Sequence, residues 1–140
     1  MAERGKTRVL CAAGEELDTR LRECLPGREL AFVRTMHQAV AALRHDGYQL
    51  LVIELAFDES RMFELLQHVR ALAKYRAVPV ICVYGDHLNL SDAVIRDIDV
   101  AVKALGGIGF LDLRDGPFAH DADCAQLGAM AAHAGFLPTN

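Results

Sequence analysis

Unbroken apolar runs alternate along this chain with longer stretches in which apolar side chains recur every three or four residues. The first run is Val9-Leu10-Cys11-Ala12-Ala13, closed by Gly14. A run that is apolar at successive positions suits a strand covered on both faces. Leu17, Leu21 and Leu25 then fall on one stripe, which predicts a helix over 15–25 stopped by Pro26-Gly27. Leu30-Ala31-Phe32-Val33 predicts a short second strand. Thr35 is placed to cap a helix carrying Met36, Val40 and Leu43, which Asp46-Gly47 closes. The strongest strand pattern spans 48–55, centred on Leu50-Leu51-Val52-Ile53. A helix over 62–75 carries Leu65, Leu66, Val69 and Leu72. The fourth strand covers 78–83, with Pro79 confined to its start because proline cannot donate to an interior ladder. After a polar stretch at 85–90, Ser91 can cap a helix over 92–105 whose stripe is Val94, Ile98, Val102 and Leu105. Gly106-Gly107 ends it, 108–113 is the fifth strand, and Pro117 opens a last helix over 118–134. That helix has the weakest pattern, because Gly128 lies inside it and most of its apolar residues are alanine.

Strand-then-helix repeats of this kind predict an α/β fold: one doubly wound, five-stranded parallel sheet with helices on both faces. The 140 residues fit a single domain, 1–140, with a core over about 7–134. In such sheets ligands lie beyond the carboxyl ends of the strands. The positions to inspect are therefore 13–15, 54–58, 84–86 and 112–115.

Composition narrows the function. At 52% hydrophobic and 24% charged, the chain can bury a core without cross-links or metals. A net charge of −4 supplies no basic field for nucleic acid or anionic lipid. No stretch reaches the ~20 apolar residues of a membrane span, and the start resembles no secretion signal. Cys11, Cys24, Cys82 and Cys124 are scattered, without a C-x-x-C pair. Free thiols in a reducing cytoplasm are the expectation.

The middle of the chain, YQLLVIEL followed by AFDESRMFELLQHVRALAKYRAVPVICV, resembles a response-regulator receiver domain. Glu54-Leu55 stands at the family's aspartate-leucine, Glu64-Leu65-Leu66 at its helix opening, then Arg70 and Pro79-Val80-Ile81 in order. Gly107-Ile108-Gly109-Phe110-Leu111 resembles its last strand. The resemblance covers roughly 7–134 and implies the flavodoxin-like (β/α)5 receiver topology. At the active positions the chain departs from the family. Ala13 and Gly14 match the metal-binding acidic pair, with Glu15 next in line, and Glu54 matches the phosphoacceptor aspartate. Tyr84 matches the Ser/Thr, Phe110 the switch aromatic, Leu113 the lysine, Arg114 its following proline, and Phe57-Asp58 the methionine-proline turn.

Phosphoryl transfer to a carboxylate needs a nucleophilic oxygen, an oxygen-ligated divalent cation and a cation on the developing charge. This set is missing, so no catalytic residue, metal or cofactor is expected. Glu54 is open to two readings: a mimic of a phosphorylated aspartate, or a strand-end carboxylate that is solvated or paired with Arg114 or Arg61, the pairing being preferred because buried carboxylates need partners. Tyr84 is expected to fill the vacated space and Phe110 to pack. Cys11 and Cys82 should be buried and inert. His120, Asp121, Asp123 and Cys124 look like a metal set on paper, but acids at a helix start more often complement its dipole.

The resulting expectation is a stand-alone pseudo-receiver of a two-component-like phosphorelay pathway, cytoplasmic and not an enzyme. It would bind an unidentified protein partner, without nucleic acid or membrane. Homodimerisation is possible through helix 92–105, strand 108–113 and the last helix, the face such domains generally use. The alternative is a flavodoxin-like small-molecule or nucleotide-binding module, for which a phosphate-cradling loop after a strand would be the sign.

Overall fold

The apolar runs pair side by side. The computed structural model describes residues 7–85, 89–114 and 121–134. In it β1 (Arg8–Ala12), β2 (Glu29–Val33), β3 (Leu50–Glu54), β4 (Val80–Tyr84) and β5 (Phe110–Asp112) form a sheet in the order β2-β1-β3-β4-β5. Every adjacent pair is parallel. This is the predicted doubly wound, flavodoxin-like architecture. The connecting helices are α1 (Asp18–Cys24), α2 (Met36–His45), α3 (Met62–Ala71), α4 (Asp92–Ala104) and α5 (Asp121–Ala134).

Strand alternation divides the core into two layers. On one face Leu51 and Ile53 of β3 pack with Leu43 of α2, Leu65 and Val69 of α3, and Val102 of α4. On the other, Leu50 and Val52 pack with Leu21 of α1 and Leu127 of α5. Each such side chain contributes about 1.5–3 kcal/mol when fully buried. Thr35 and Ser91 accept the backbone N–H groups of Gln38 and Val94 at 3.1 and 3.2 Å, so both act as the predicted caps.

The predicted elements are trimmed where tertiary contacts intervene. The helix expected over 15–25 divides into a 3-10 turn, Glu15–Leu17, and α1. The one expected over 62–75 ends as an α-helix at Ala71, and a 3-10 turn, Ala73–Tyr75, follows. That turn sinks Tyr75, which is 1% exposed, so that its hydroxyl donates to the Asp46 carbonyl at 2.5 Å. β4 begins just after Pro79, as the missing N–H requires. Gly106, at φ +94°, closes α4. Pro117, Phe118, His120 and positions 86–88 lie outside the described residues. No helix among the described residues is long and apolar enough to cross a membrane.

Gly128 has a packing reason to interrupt α5. A Cβ there would lie 2.9 Å from the Cys24 carbonyl oxygen, so glycine lets α5 lie directly on the end of α1. At the same contact Cys24 and Cys124 form a disulfide, with Cα atoms 5.0 Å apart across a sequence separation of 100. This corrects the expectation of free thiols at Cys24 and Cys124. The pairing depends on the first and last helices sharing a face of the sheet, which spacing along the chain does not reveal. Cys11 and Cys82 are free and buried, and burial pushes both thiols up to about 12.

Closing a loop of this length removes roughly 4–5 kcal/mol of unfolded-chain entropy. Replacing both partners, Cys24→Ser with Cys124→Ser, is therefore expected to lower the unfolding free energy by roughly 3–5 kcal/mol in urea titration. A loss under about 1 kcal/mol would mean that the bond does little to restrict the unfolded chain.

Candidate functional site

The strand order reverses at β1, which lies between β2 and β3. The carboxyl ends of β1 and β3 form the crevice where doubly wound sheets place ligands. Glu54 ends β3 and is 3% exposed. Its Oε1 accepts the Gly14 backbone N–H at 2.8 Å, a charge-assisted bond across the switch point. The expected pairing of Glu54 with Arg114 or Arg61 is not what forms. Arg114 holds Asp112, and Arg61 lies 3.7 Å from Asp58, so each arginine is engaged by a carboxylate nearer in sequence.

Ala13 is fully buried, and its carbonyl oxygen accepts from Arg34 Nη1 at 3.0 Å. The same guanidinium grips both carboxylate oxygens of Asp18, the first residue of α1. The hydrogen bonds to Asp18 raise Arg34 above the ordinary arginine value. The end of β1, where the resemblance puts two metal carboxylates, is thus occupied by a tethered cation and two residues without ligating side chains. Glu15 is exposed in the following turn.

Alternation separates a second cluster from Glu54. Tyr84 and Asp112 are register partners on β4 and β5. Tyr84 is fully buried and stacks on Phe110, with ring centroids 5.1 Å apart. Arg114 returns to Asp112 with contacts of 2.7–3.1 Å, and its guanidinium carbon lies 5.4 Å from the Tyr84 ring centre. The Asp112 N–H donates to Asp123 of α5 at 2.7 Å. Leu113 is fully buried in the layer of α1 and α5, and its carbonyl accepts from Arg20 Nε of α1 at 3.2 Å. Burial, reinforced by the Asp112 carboxylate, pushes the Tyr84 phenol up to about 12. Burial would raise Asp112 as well, but the side chain and N–H of Arg114 outweigh it and hold Asp112 below the ordinary aspartate value.

The loop after β3 is strained. Asp58, Glu59 and Ser60 have φ of 43°, 60° and 65°, a left-handed turn built without glycine. Such backbone costs roughly 1–2 kcal/mol per residue. Asp58 Oδ2 accepts the Met36 N–H at 2.8 Å, so this loop caps α2 from outside and gains a specific contact for its strain.

Among the described residues no group of three or more His, Cys, Asp or Glu is placed to hold a metal. Of the set marked near α5, Asp123 is bonded to the Asp112 N–H and Cys124 to Cys24. Sequence reasoning placed Asp112 only among the strand-end positions to inspect, and missed Arg34, Asp18 and Arg20 as site-forming residues. Only Asp112 carried a signal: a lone acid inside an apolar strand, with an arginine two positions on.

No protein-family model matches the chain, and no curated protein matches it in sequence. Solved structures do match it. The chemotaxis response regulator CheY4 of Vibrio cholerae superposes with a TM-score of 0.69 at 17% identity, over 89% of this chain and 98% of that one. A response regulator from Hahella chejuensis gives 0.67 at 18% identity, over 91% and 94% of the two chains. The receiver domain of a DNA-binding response regulator from Colwellia psychrerythraea gives 0.66 at 14%, over 89% and 98%. The chain therefore has the fold of response-regulator receivers along nearly its whole length.

Two outcomes test this geometry. Glu59→Gly is expected to raise the unfolding free energy by about 0.5–1 kcal/mol by relieving the left-handed strain; a loss of stability would contradict it. Arg114→Ala removes the main counter-charge of a buried carboxylate and should cost about 3 kcal/mol. Because Asp112 titrates lower folded than unfolded, its contribution is whole above about pH 4 and fades as the pH falls further. Asp112→Asn should accordingly show a smaller acid loss of stability than the parent chain in urea titrations at neutral and acid pH.

Proposed function

We propose that the chain is a pseudo-receiver: a signalling domain of a two-component-like pathway that acts by binding a protein partner, without aspartyl phosphorylation and without being an enzyme. The observation that carries this reading is the Glu54 carboxylate, buried and accepting the Gly14 N–H where the family's nucleophile stands. An acyl phosphate there would need a divalent cation and a lysine to offset its charge. The chain offers Ala13 and Gly14 for the first and a buried Leu113 for the second. Arg34, fixed on the Ala13 carbonyl, repels a metal ion from the same place.

The partner face we propose runs along α4, β5 and α5, and would serve either a protein partner or a second copy. Val100 of α4 is 66% exposed, and Val94 and Ile108 are each 41% exposed. These exposed apolar groups on α4 and just before β5 are what supports a contact surface there. A specific interface should bury more than about 1,000 Å² in total.

Incubation with acetyl phosphate and Mg²⁺ is expected to leave the intact mass unchanged. A hydrolytically labile adduct that disappears in Glu54→Gln would overturn the proposal. For the interface, Ala101 is only partly exposed, so Val100→Glu is the cleaner probe. The substitution should abolish self-association in light scattering or recovery of a co-purifying protein, with circular dichroism unchanged. Undiminished association would remove this face from consideration.

A further inference from the structure

The disulfide lies in the wall of a hollow of about 400 Å³ that is lined by both cysteines, Glu23, Arg28, Asp121 and Gly128. Cys24 is 3% exposed, whereas Cys124 is only partly buried, so the hollow gives an incoming thiolate access to the Cys124 sulfur. Both cysteines sit on helices that grip the end of β5. On α5, the residue before Cys124 is Asp123, which holds the Asp112 N–H. On α1, Arg20 stands one turn before Cys24 and donates to the Leu113 carbonyl. The bond therefore ties together the two clamps on residues 112–113, and through Asp112 it reaches Arg114 and the Tyr84 ring.

We propose that Cys24–Cys124 is a redox-active site that a dithiol reductant opens by exchange, and that its thiol state is passed to the strand-end cluster through Asp123 and Arg20. In the first step a reductant thiolate bonds to the Cys124 sulfur, and the Cys24 sulfur leaves with the electron pair of the old bond. In the second, the other thiolate of the reductant attacks its own sulfur in that mixed disulfide, and Cys124 leaves as thiolate. The reductant is oxidised by two electrons to its cyclic or internal disulfide, and both protein thiolates can take up protons. Cys124 lies in the first turn of α5, and Arg28, Glu23 and Asp121 line the same hollow. Gly128 keeps α5 against the Cys24 carbonyl, so the opened sulfurs remain close enough to rejoin. Cys11 and Cys82, fully buried in the strands, take no part.

The test uses the full chain without denaturant. It is treated with dithiothreitol, alkylated with iodoacetamide and weighed intact, and peptide mapping locates the labels. Labels on Cys24 and Cys124, with Cys11 and Cys82 unmodified, are expected. The amide resonances of Asp112, Leu113 and Arg114 should shift on reduction and return on reoxidation. Labelling that requires denaturant would overturn the exchange and leave a purely structural cross-link. Labelling with no change at 112–114 would overturn the transmission. As a second variant, Cys24→Ser should form a mixed disulfide with oxidised glutathione at Cys124; failure to do so in a folded variant would also overturn exchange at Cys124.

Discussion

Two-sided burial of β3 is the constraint from which the rest follows. Its residues, from Leu50 to Glu54, are at most 3% exposed. The strand can therefore only be a pleated sheet of apolar side chains between two helical layers. A carboxylate at the end of such a strand has no water to fall back on and must be satisfied by protein groups. Gly14 answers this with a backbone N–H, which requires the β1 loop to come close across the crevice. One buried acid thus ties the loop after β1 to the end of β3.

Around that contact, ion pairs close two of the strand ends. Arg34 with Asp18 closes the end of β1, and Arg114 with Asp112 closes the end of β5. In each pair the guanidinium also binds a second group: the Ala13 carbonyl in one case, the Tyr84 ring in the other. The Arg114–Asp112 pair is buried and costly to break from one side, whereas Arg34–Asp18 is only half-buried. A site built from them holds its side chains in fixed positions.

Much of the fold was legible in the apolar periodicity, and the crevice in the order of the elements. The five strand centres, the Thr35 and Ser91 caps and the start of β4 just after Pro79 all follow from local chemistry. The contacts that define the site were less accessible. Glu54 meets a backbone donor 40 positions away, and backbone donors leave no mark in a sequence. Arg34 and Asp18 meet because a strand and a helix end converge, not because of their spacing. Asp112 and Arg114 are the exception: alternate residues of a strand share a face, so an acid and an arginine two apart could have been read as a pair. Gly128 looked like a flaw in a helix and proved to be the clearance that α5 needs against α1.

The left-handed turn at 58–60 ties the stability of two segments that are distant in the chain. Asp58 supplies an acceptor to the first N–H of α2, so the turn cannot relax to an ordinary backbone without exposing that helix end. The loop after β3 and the first turn of α2 should then open and close as one cooperative unit, protected from amide exchange to a common degree. A ligand that pulled on either segment would be felt at the other without any displacement of the sheet.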